Sequence, residues 1–403
     1  MRTEAPDVNN LGASLDALGP RLVRAGLATG VIMLVASVAL AFLAPGGMDR
    51  MLHSYLVAFA FFLSVSLGAL FFVVLQHLVR AGWSVVVRRV AEALAMNLPL
   101  LALFAVPILL GVRGLYEWAD PRAVAGDALL RGKQPYLNVP FFAARLAVYF
   151  AVFTFLARYF WTRSTTQDRT GDVRLSLQME RTSAIGMVLF ALTTNYAAVD
   201  LLMSLDPHWY STIFGVYFFS GGVVGFFALL SMLAALLQRS GRLGGAVTDE
   251  HYHDLGKLVF AFTVFWAYIA FSQYMLMWYA NIPEETEWYL RRQTGQWAGV
   301  SLLLLFGHFV LPFVYLLPRF VKRRPKLFGP IAAWMLLMHY VDIYWIVMPQ
   351  ISPGRVPLHL LDLTCPLGIG GIMLAATAHR LRQRALVPLR DPRLAESLAF
   401  ENA

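Results

Sequence analysis

The sequence predicts an all-α polytopic membrane protein, and composition, charge and hydropathy patterning carry this prediction. Apolar residues make up 58% of the 403 positions and charged residues only 14%, whereas about a quarter of the residues in a soluble domain are charged. The mean hydropathy is +0.60. The apolar residues stand in long unbroken blocks, whereas the strands of a membrane β-barrel would alternate. These observations exclude a soluble enzyme, a disordered chain and a transmembrane β-barrel.

Ten blocks are long enough for membrane helices, since a helix needs about 20 mostly apolar residues to cross a bilayer. The predicted spans are 21–44, 51–78, 93–112, 139–161, 182–204, 212–238, 256–280, 297–317, 328–349 and 359–379. The first block is too long for the apolar region of a secretory signal, so we expect it to be a retained helix. The predicted organisation is an N-terminal tail over 1–20, a ten-helix domain over 21–380 and a C-terminal tail over 381–403.

The distribution of basic residues predicts the orientation of these spans. Of the 33 Lys and Arg residues, 24 lie in the tails and in alternate loops on one side, 8 lie on the other side, and Arg145 lies inside the fourth span. Because loops rich in Lys and Arg stay in the cytoplasm, both termini are predicted to be cytoplasmic. The basic residues are scattered over separate turns, so they indicate topology and contact with lipid headgroups rather than nucleic acid.

The chain offers few residues for a cofactor. Its single cysteine, Cys365, excludes an intrachain disulfide, a four-cysteine iron–sulfur cluster, a cysteine-rich zinc site and a C-x-x-C-H haem attachment. Only His308 and His339 lie well inside predicted spans, one per helix, which is too few for the paired haem ligands of a cytochrome b. We therefore predict no cofactor-binding, metal-binding or catalytic residue in this chain.

Ionisable side chains inside the predicted spans are candidates for a proton path, because such groups are costly in a bilayer. The candidates are Asp200 in the fifth span, His308 in the eighth, His339 and Asp342 in the ninth, and His359 and Asp362 at the start of the tenth. A spacing of three predicts that His339 and Asp342, and likewise His359 and Asp362, share a helix face. A carboxylate beside a histidine can pass protons. The alternative is a satisfied polar group that locks helix packing, and we favour it for His359.

Other polar and aromatic residues have simpler interpretations. Arg145 is predicted either to extend its side chain toward the membrane surface or to pair with an acid. His53 and His77 stand at opposite ends of the second span and are predicted to be interface residues. Tryptophans near span ends, such as Trp209 and Trp288, predict an ordinary aromatic belt.

An internal repetition predicts how the helices are grouped. The fifth and ninth spans each carry an acid near the outer end, and each is followed by a short loop and a helix containing several glycines. They are separated by four spans. This spacing indicates two four-helix bundles, formed by spans two to five and six to nine, with the first and tenth spans outside them.

Two long segments and one basic turn carry a family resemblance. The segments are Asn195–Thr212 (NYAAVDLLMSLDPHWYST) and Asp254–Arg292 (DLGKLVFAFTVFWAYIAFSQYMLMWYANIPEETEWYLRR), and the turn is Pro318–Lys326. These stretches resemble the ActF subunits of bacterial alternative complex III, which belong to the wider group of NrfD/PsrC-like membrane subunits. The likeness extends over most of the chain. The Trp-Gly and glycine-rich early helix of the quinol-binding paralogues are not found here, which favours the ActF type.

The resemblance implies a subunit of a quinol:electron-acceptor oxidoreductase in the bacterial cytoplasmic membrane, with paired four-helix bundles. It implies that the chain binds no redox cofactor. Multihaem cytochrome c subunits, an iron–sulfur subunit and a quinol-binding NrfD-like paralogue would be its partners, with menaquinol or another quinol as the substrate of the complex. Such subunits have been proposed to conduct protons, and the resemblance favours Asp200, His339 and Asp342 for that role.

Two alternatives belong to other functional classes. A quinone-reactive subunit would use a His/Asp pair beside a hydrophobic cleft as general bases. A stand-alone proton-coupled secondary transporter would have broken helices around a midplane site, and Pro312 and Pro366 are positioned to break the eighth and tenth helices.

Overall fold

The computed structural model describes residues 12–43 and 46–402, so most of the predicted N-terminal tail lies outside the described residues. The protein is 79% helical, and the described ranges contain no strand. Ten helices in these ranges are long and apolar enough to cross a membrane, which confirms the predicted class. We label them α1 (Leu18–Phe42), α2 (Gly47–Leu78), α3 (Val85–Leu110), α4 (Val139–Thr170), α5 (Arg174–Leu205), α6 (Phe214–Arg239), α7 (Asp249–Ala280), α8 (Trp297–Leu316), α9 (Pro325–Gln350) and α10 (Leu361–Leu381).

Shorter helices connect or follow the spans. They are Val112–Leu115, Pro121–Gly126, Ala128–Lys133, Pro283–Gln293, Arg319–Arg323 and Leu394–Leu398, together with a 3₁₀ turn at Glu117–Ala119. Two further 3₁₀ turns, Met203–Leu205 and Met348–Gln350, form the last residues of α5 and α9. We call the end of the molecule that carries residues 12–17 and 382–402 the tail end. The opposite end, which carries residues 111–138 and 281–296, is the loop end.

Several helices extend beyond the predicted apolar blocks. The first begins at Leu18, within the predicted tail, and α3 begins at Val85 rather than at residue 93. The early turns of α3 contain Arg88, Arg89 and Glu92, all of which are buried. Averaged hydropathy leaves charged turns out of a predicted span. The helix itself continues through such turns where the charged side chains have partners.

Two spans depart from regular α-helix. The span α3 is built from Val85–Ala95, Leu98–Phe104 and Val106–Leu110, with a proline in the first turn of each of the last two pieces. In α8, a π-helical segment, Leu304–Val310, separates two α-helical pieces. Pro312 follows this segment and lacks the N–H that would bond the carbonyl of His308 in an α-helix. The local sequence thus favours the wider turn that contains His308.

The helices pack as two four-helix bundles with two peripheral helices, as predicted. Neighbouring helices are in contact around α2–α5 and around α6–α9, while α1 and α10 pack together and against α2. Glycines allow the close crossings: a Cβ at Gly222 of α6 would lie 2.7 Å from the carbonyl oxygen of Ser64 in α2, and one at Gly371 of α10 would lie 2.7 Å from the backbone nitrogen of Gly30 in α1. Small residues at helix crossings are typical of membrane proteins.

Burial identifies the centre of the molecule. In the most apolar stretch of α2, 89% of the residues are buried, compared with 22% in α1 and 28% in α8. The outward faces of α1, α7 and α8 carry exposed large apolar side chains such as Val35, Phe271 and Val314. Exposed apolar surface of this extent fits a multi-pass protein whose surroundings are lipid.

Candidate functional site

A buried acid lies at the centre of the second bundle. Asp342 of α9 is 1% exposed. Tyr217 of α6 donates a hydrogen bond to one oxygen of its carboxyl group, and the indole N–H of Trp266 in α7 donates to the other at 3.1 Å. Both donors are neutral groups. Asp342 is therefore held by hydrogen bonds rather than by an ion pair. A change in the charge of its carboxyl group would break no ion pair.

His339 lies one turn before Asp342 and faces the same helix, α6, as their spacing predicted. Its Nε2 is 2.7 Å from the hydroxyl oxygen of Ser64, and Ser64 also donates to the carbonyl of Phe61 at 2.8 Å. Because a hydroxyl has one proton, this arrangement assigns the N–H of His339 to Nε2. Its Nδ1 is left as an acceptor with no hydrogen-bond partner among the described residues.

Gly221 brings this free nitrogen and the carboxyl group of Asp342 to one place. A Cβ at Gly221 would lie 3.0 Å from Nδ1 of His339 and 3.4 Å from Oδ2 of Asp342. Gly225, one turn later, leaves room for the imidazole, since a Cβ there would lie 2.8 Å from its Cδ2. The two glycines of α6 thus form the wall against which the two polar groups pack.

His308 completes the group of buried polar side chains. It is fully buried, and neither ring nitrogen has a partner in the described part of the chain. Its ring packs against that of Trp266, with the centroids 3.9 Å apart and the planes tilted by 33°. We call Tyr217, Trp266, His308, His339 and Asp342 the histidine–aspartate cluster. It receives side chains from all four helices of the second bundle.

Buried polar groups continue from α6 and α7 toward the loop end. Ser211 donates to Oε1 of Gln273 at 2.8 Å, and Nε2 of Gln273 donates to the hydroxyl of Tyr289 at 2.9 Å. All three residues are buried. Burial raises the pKa of Tyr289, while the hydrogen bond from Gln273 and the charge of Arg292 lower it. These three groups form a separate buried polar chain in the second bundle, and sequence reasoning did not identify Gln273 or Tyr289.

Asp200 lies in the first bundle in a different setting. Its carboxylate accepts two hydrogen bonds from Arg145 of α4, at 2.7 and 3.0 Å, and others from Tyr149 at 2.8 Å and Tyr136 at 3.2 Å. The guanidinium lies over the ring of Tyr136, 3.8 Å from its centroid. Of the two predictions for Arg145, pairing with an acid is confirmed. With four hydrogen bonds, two of them from a bidentate guanidinium, Asp200 joins α4 to α5.

Asp362 is also paired with an arginine. Arg50 of α2 lies 2.6 Å from its carboxylate, Ser54 donates to it at 3.0 Å, and the backbone N–H of His359 donates at 2.9 Å. The side chain of His359 is exposed, and its Nδ1 accepts from the N–H of Leu361. The predicted pairing of the His359 and Asp362 side chains is therefore wrong. The helix begins only at Leu361, so the rule for residues three apart on a helix does not apply to His359.

A charged cluster at the tail end was missed because its arginines were read as cytoplasmic loop charges. Arg89 pairs with Asp168 of α4 at 2.5 Å, and Arg88 pairs with Asp391 of the C-terminal segment. Glu92 is fully buried, 3.7 Å from Arg88 and 3.6 Å from Arg89. The spacing of four and three residues between these arginines and the acid was the available signal.

Some predicted interface residues are core residues. His53 and His77 are 2% and 4% exposed, because α2 is surrounded by other helices along its whole length. Trp209 and Trp288 stack with their centroids 4.3 Å apart and are also buried, so they join two loop-end segments rather than forming a belt. Trp278 is 65% exposed, as expected for a belt residue.

Comparison with known proteins adds no family assignment. Within residues 12–43 and 46–402, no group of three or more His, Cys, Asp or Glu side chains is arranged to hold a metal ion. No protein-family model matches the chain, and no curated protein matches it significantly.

Proposed function

We propose that this chain is an integral subunit of a quinol:electron-acceptor oxidoreductase of the alternative complex III type, and that it moves protons through its second bundle. It lies in the bacterial cytoplasmic membrane with both termini in the cytoplasm. The assignment to this complex is supported by the resemblance of Asn195–Thr212 and Asp254–Arg292 to ActF subunits. The arrangement of the two bundles agrees with that resemblance.

The histidine–aspartate cluster is the observation that supports proton transfer. A relay group must gain and lose a proton at a small cost in free energy. A cation bound to a carboxylate opposes protonation of that carboxylate. Asp342 has only neutral donors and packs with Nδ1 of His339 against Gly221, whereas Asp200 and Asp362 each hold an arginine. Of the six predicted candidates, we therefore assign the relay to His308, His339 and Asp342. Asp200 and Asp362 serve as structural locks.

The partner subunits carry out the redox chemistry. Multihaem cytochrome c subunits and an iron–sulfur subunit carry the electrons, and a quinol-binding NrfD-like paralogue oxidises menaquinol or another quinol. This chain would contact those subunits and the surrounding lipids, and no nucleic acid. Asp342 and His339 are 1% and 0% exposed, and this burial favours proton transfer over direct contact with a quinone in an open cleft.

Purification of the tagged chain from its native membrane in mild detergent tests the subunit assignment. Mass spectrometry of the co-purifying chains, with assays of haem and iron, should identify multihaem and iron–sulfur subunits. A chain that purifies alone, folded and free of haem and iron, would contradict the proposal.

The relay is tested in the intact complex reconstituted in vesicles. Asp342→Asn should lower the proton-to-electron ratio while quinol oxidation continues in uncoupled vesicles, because the amide cannot exchange a proton at neutral pH. Asp249→Asn, at an exposed tail-end acid, is the matched control and should leave the ratio unchanged. Tyr217→Phe removes a hydroxyl donor to Asp342 without changing charge. An unchanged ratio in both Asp342→Asn and Tyr217→Phe would contradict the relay.

One observation favours the transporter alternative. The span α8 changes to a π-helix over Leu304–Val310, around His308, and interrupted helices line the substrate sites of many secondary transporters. A transporter would purify without redox partners and would take up a solute in proteoliposomes when a proton gradient is imposed. The co-purification experiment therefore decides between these two functions.

A further inference from the structure

A groove runs between α3 and α4 on the outer surface of the first bundle. Its volume is about 520 Å³, and all of its ten lining residues except one threonine are apolar. Small side chains create it: α3 contributes Ala102 and Ala105, and α4 contributes Ala143, Ala147 and Ala151. Ala147 and Ala151 are exposed, so the groove opens outward at the depth of the hydrocarbon region.

A second cavity, of about 610 Å³, lies at the loop end of the same two helices. Its lining includes Arg113, Arg131, Gln134, Asn138 and Trp118, and no carboxylate is found among the described residues that line it. One guanidinium nitrogen of Arg131 donates to the carbonyl of Ala125 at 2.9 Å. Two arginines without an acid in the described lining supply this cavity with several N–H donors for an anion.

The two cavities follow each other along both helices. Leu109 lines the groove, and Arg113, four residues later, lines the loop-end cavity; Ala143 lines the groove, and Pro140, three residues earlier, lines the cavity. Pro140 and Ala143 lie on one face of α4, about 5–6 Å apart. Leu109 and Arg113 stand on either side of Gly111, where α3 gives way to the short helix Val112–Leu115. The surface therefore presents an apolar slot at membrane depth that is continued by a cationic, hydrogen-bonding pocket at its end.

We infer that this surface binds one anionic phospholipid, with an acyl chain in the groove and the phosphate beside Arg113 and Arg131. Guanidinium groups bind phosphate through paired N–H donors, and the alanines leave a channel wide enough for a hydrocarbon chain. Arg113 is exposed, so its side chain is available to a headgroup. This site lies in the first bundle and does not depend on the function proposed for the second.

Native mass spectrometry of the full chain tests the site. The protein is released from nanodiscs that contain equal amounts of phosphatidylglycerol and phosphatidylcholine, and the two bound lipids are counted. The wild type should retain phosphatidylglycerol preferentially. The double variant Arg113→Gln/Arg131→Gln should reduce this preference about 30-fold, which corresponds to about 1 kcal/mol for each arginine. Arg122→Gln, an exposed arginine of the same loop that does not line the cavity, is the matched control.

The apolar half of the site has its own pair of variants. Ala147→Trp fills the groove and should remove the retained lipid, whereas Ala144→Trp, on an exposed neighbouring position outside the groove, should not. Equal retention by the arginine double variant and Arg122→Gln would overturn the assignment. A second result would also overturn it. If organic extraction finds an isoprenoid quinone on the wild type, and Ala147→Trp removes the quinone but leaves phosphatidylglycerol bound, the groove holds a quinone tail.

Discussion

Replacement of Arg145 by Met should destabilise the protein by about 3–5 kcal/mol, the usual cost of removing one partner from a buried ion pair. The structure supports the upper part of this range. Asp200 is 1% exposed, and both of its oxygens accept hydrogen bonds from the guanidinium. In Arg145→Met, the carboxylate would keep only the two tyrosine donors while remaining buried.

Removal of the acid instead of the arginine should destabilise the protein less. In Asp200→Asn, Arg145 keeps its hydrogen bond to the carbonyl of Tyr136 at 2.8 Å and its position over that ring. Its side chain is also 10% exposed, so we expect a loss of about 1.5–3 kcal/mol, the value of a hydrogen bond to a charged group. The double variant buries no charge. It should therefore be more stable than the sum of the single effects predicts, by at least about 2 kcal/mol.

Unfolding in mixed detergent micelles with increasing dodecyl sulfate, followed by circular dichroism, measures these free energies. Arg158→Met, at an exposed arginine of the same helix, is the matched control and should change stability by less than about 0.5 kcal/mol. Strictly additive effects of Arg145→Met and Asp200→Asn would refute the argument that the pair is a lock between α4 and α5. Asp200 would then return as a relay candidate.

Three further changes test other parts of the structure. Gly222→Ala should cost about 1–3 kcal/mol in the same unfolding assay, because the new Cβ would meet the backbone of α2 at 2.7 Å; wild-type stability would contradict this close crossing. Trp288→Ala should cost about 3–5 kcal/mol by removing the stack on Trp209, and a loss below about 1 kcal/mol would argue against a loop-end core. The hydrogen bond from His208, with backbone N–H donors, lowers the pKa of Asp127 below its ordinary 3.8. The carboxylate therefore stabilises the fold above that pH and loses its effect as the pH falls through its own lower pKa. The difference in melting temperature between wild type and Asp127→Asn should shrink on acidification below pH 3.8, and a constant difference would exclude this contribution.

The number and type of the spans could be predicted from the sequence because a bilayer forces each crossing segment to satisfy its own backbone hydrogen bonds. Ten apolar blocks therefore meant ten helices, and the repetition of acids and glycines indicated the two bundles. The common face of His339 and Asp342 also followed from local geometry, since α9 is helical across both residues. The same rule failed at His359, which precedes the first helical residue of α10.

The partners of the buried charges depended on which helices are neighbours. Arg145 and Asp200 are 55 residues apart, and Arg50 and Asp362 are 312 apart, so no local pattern joins them. The burial of Glu92 could not be predicted for a related reason. A hydropathy scale counts every charged residue as polar, whether or not the fold gives it a buried partner. Length and composition determined that the chain forms a bundle of membrane helices. Only the packing of those helices decided that Asp200 and Asp362 are paired with arginines, whereas Asp342 is held by neutral donors. The reason is that the electrostatic environment of a buried acid is set by side chains that the fold brings together from distant segments.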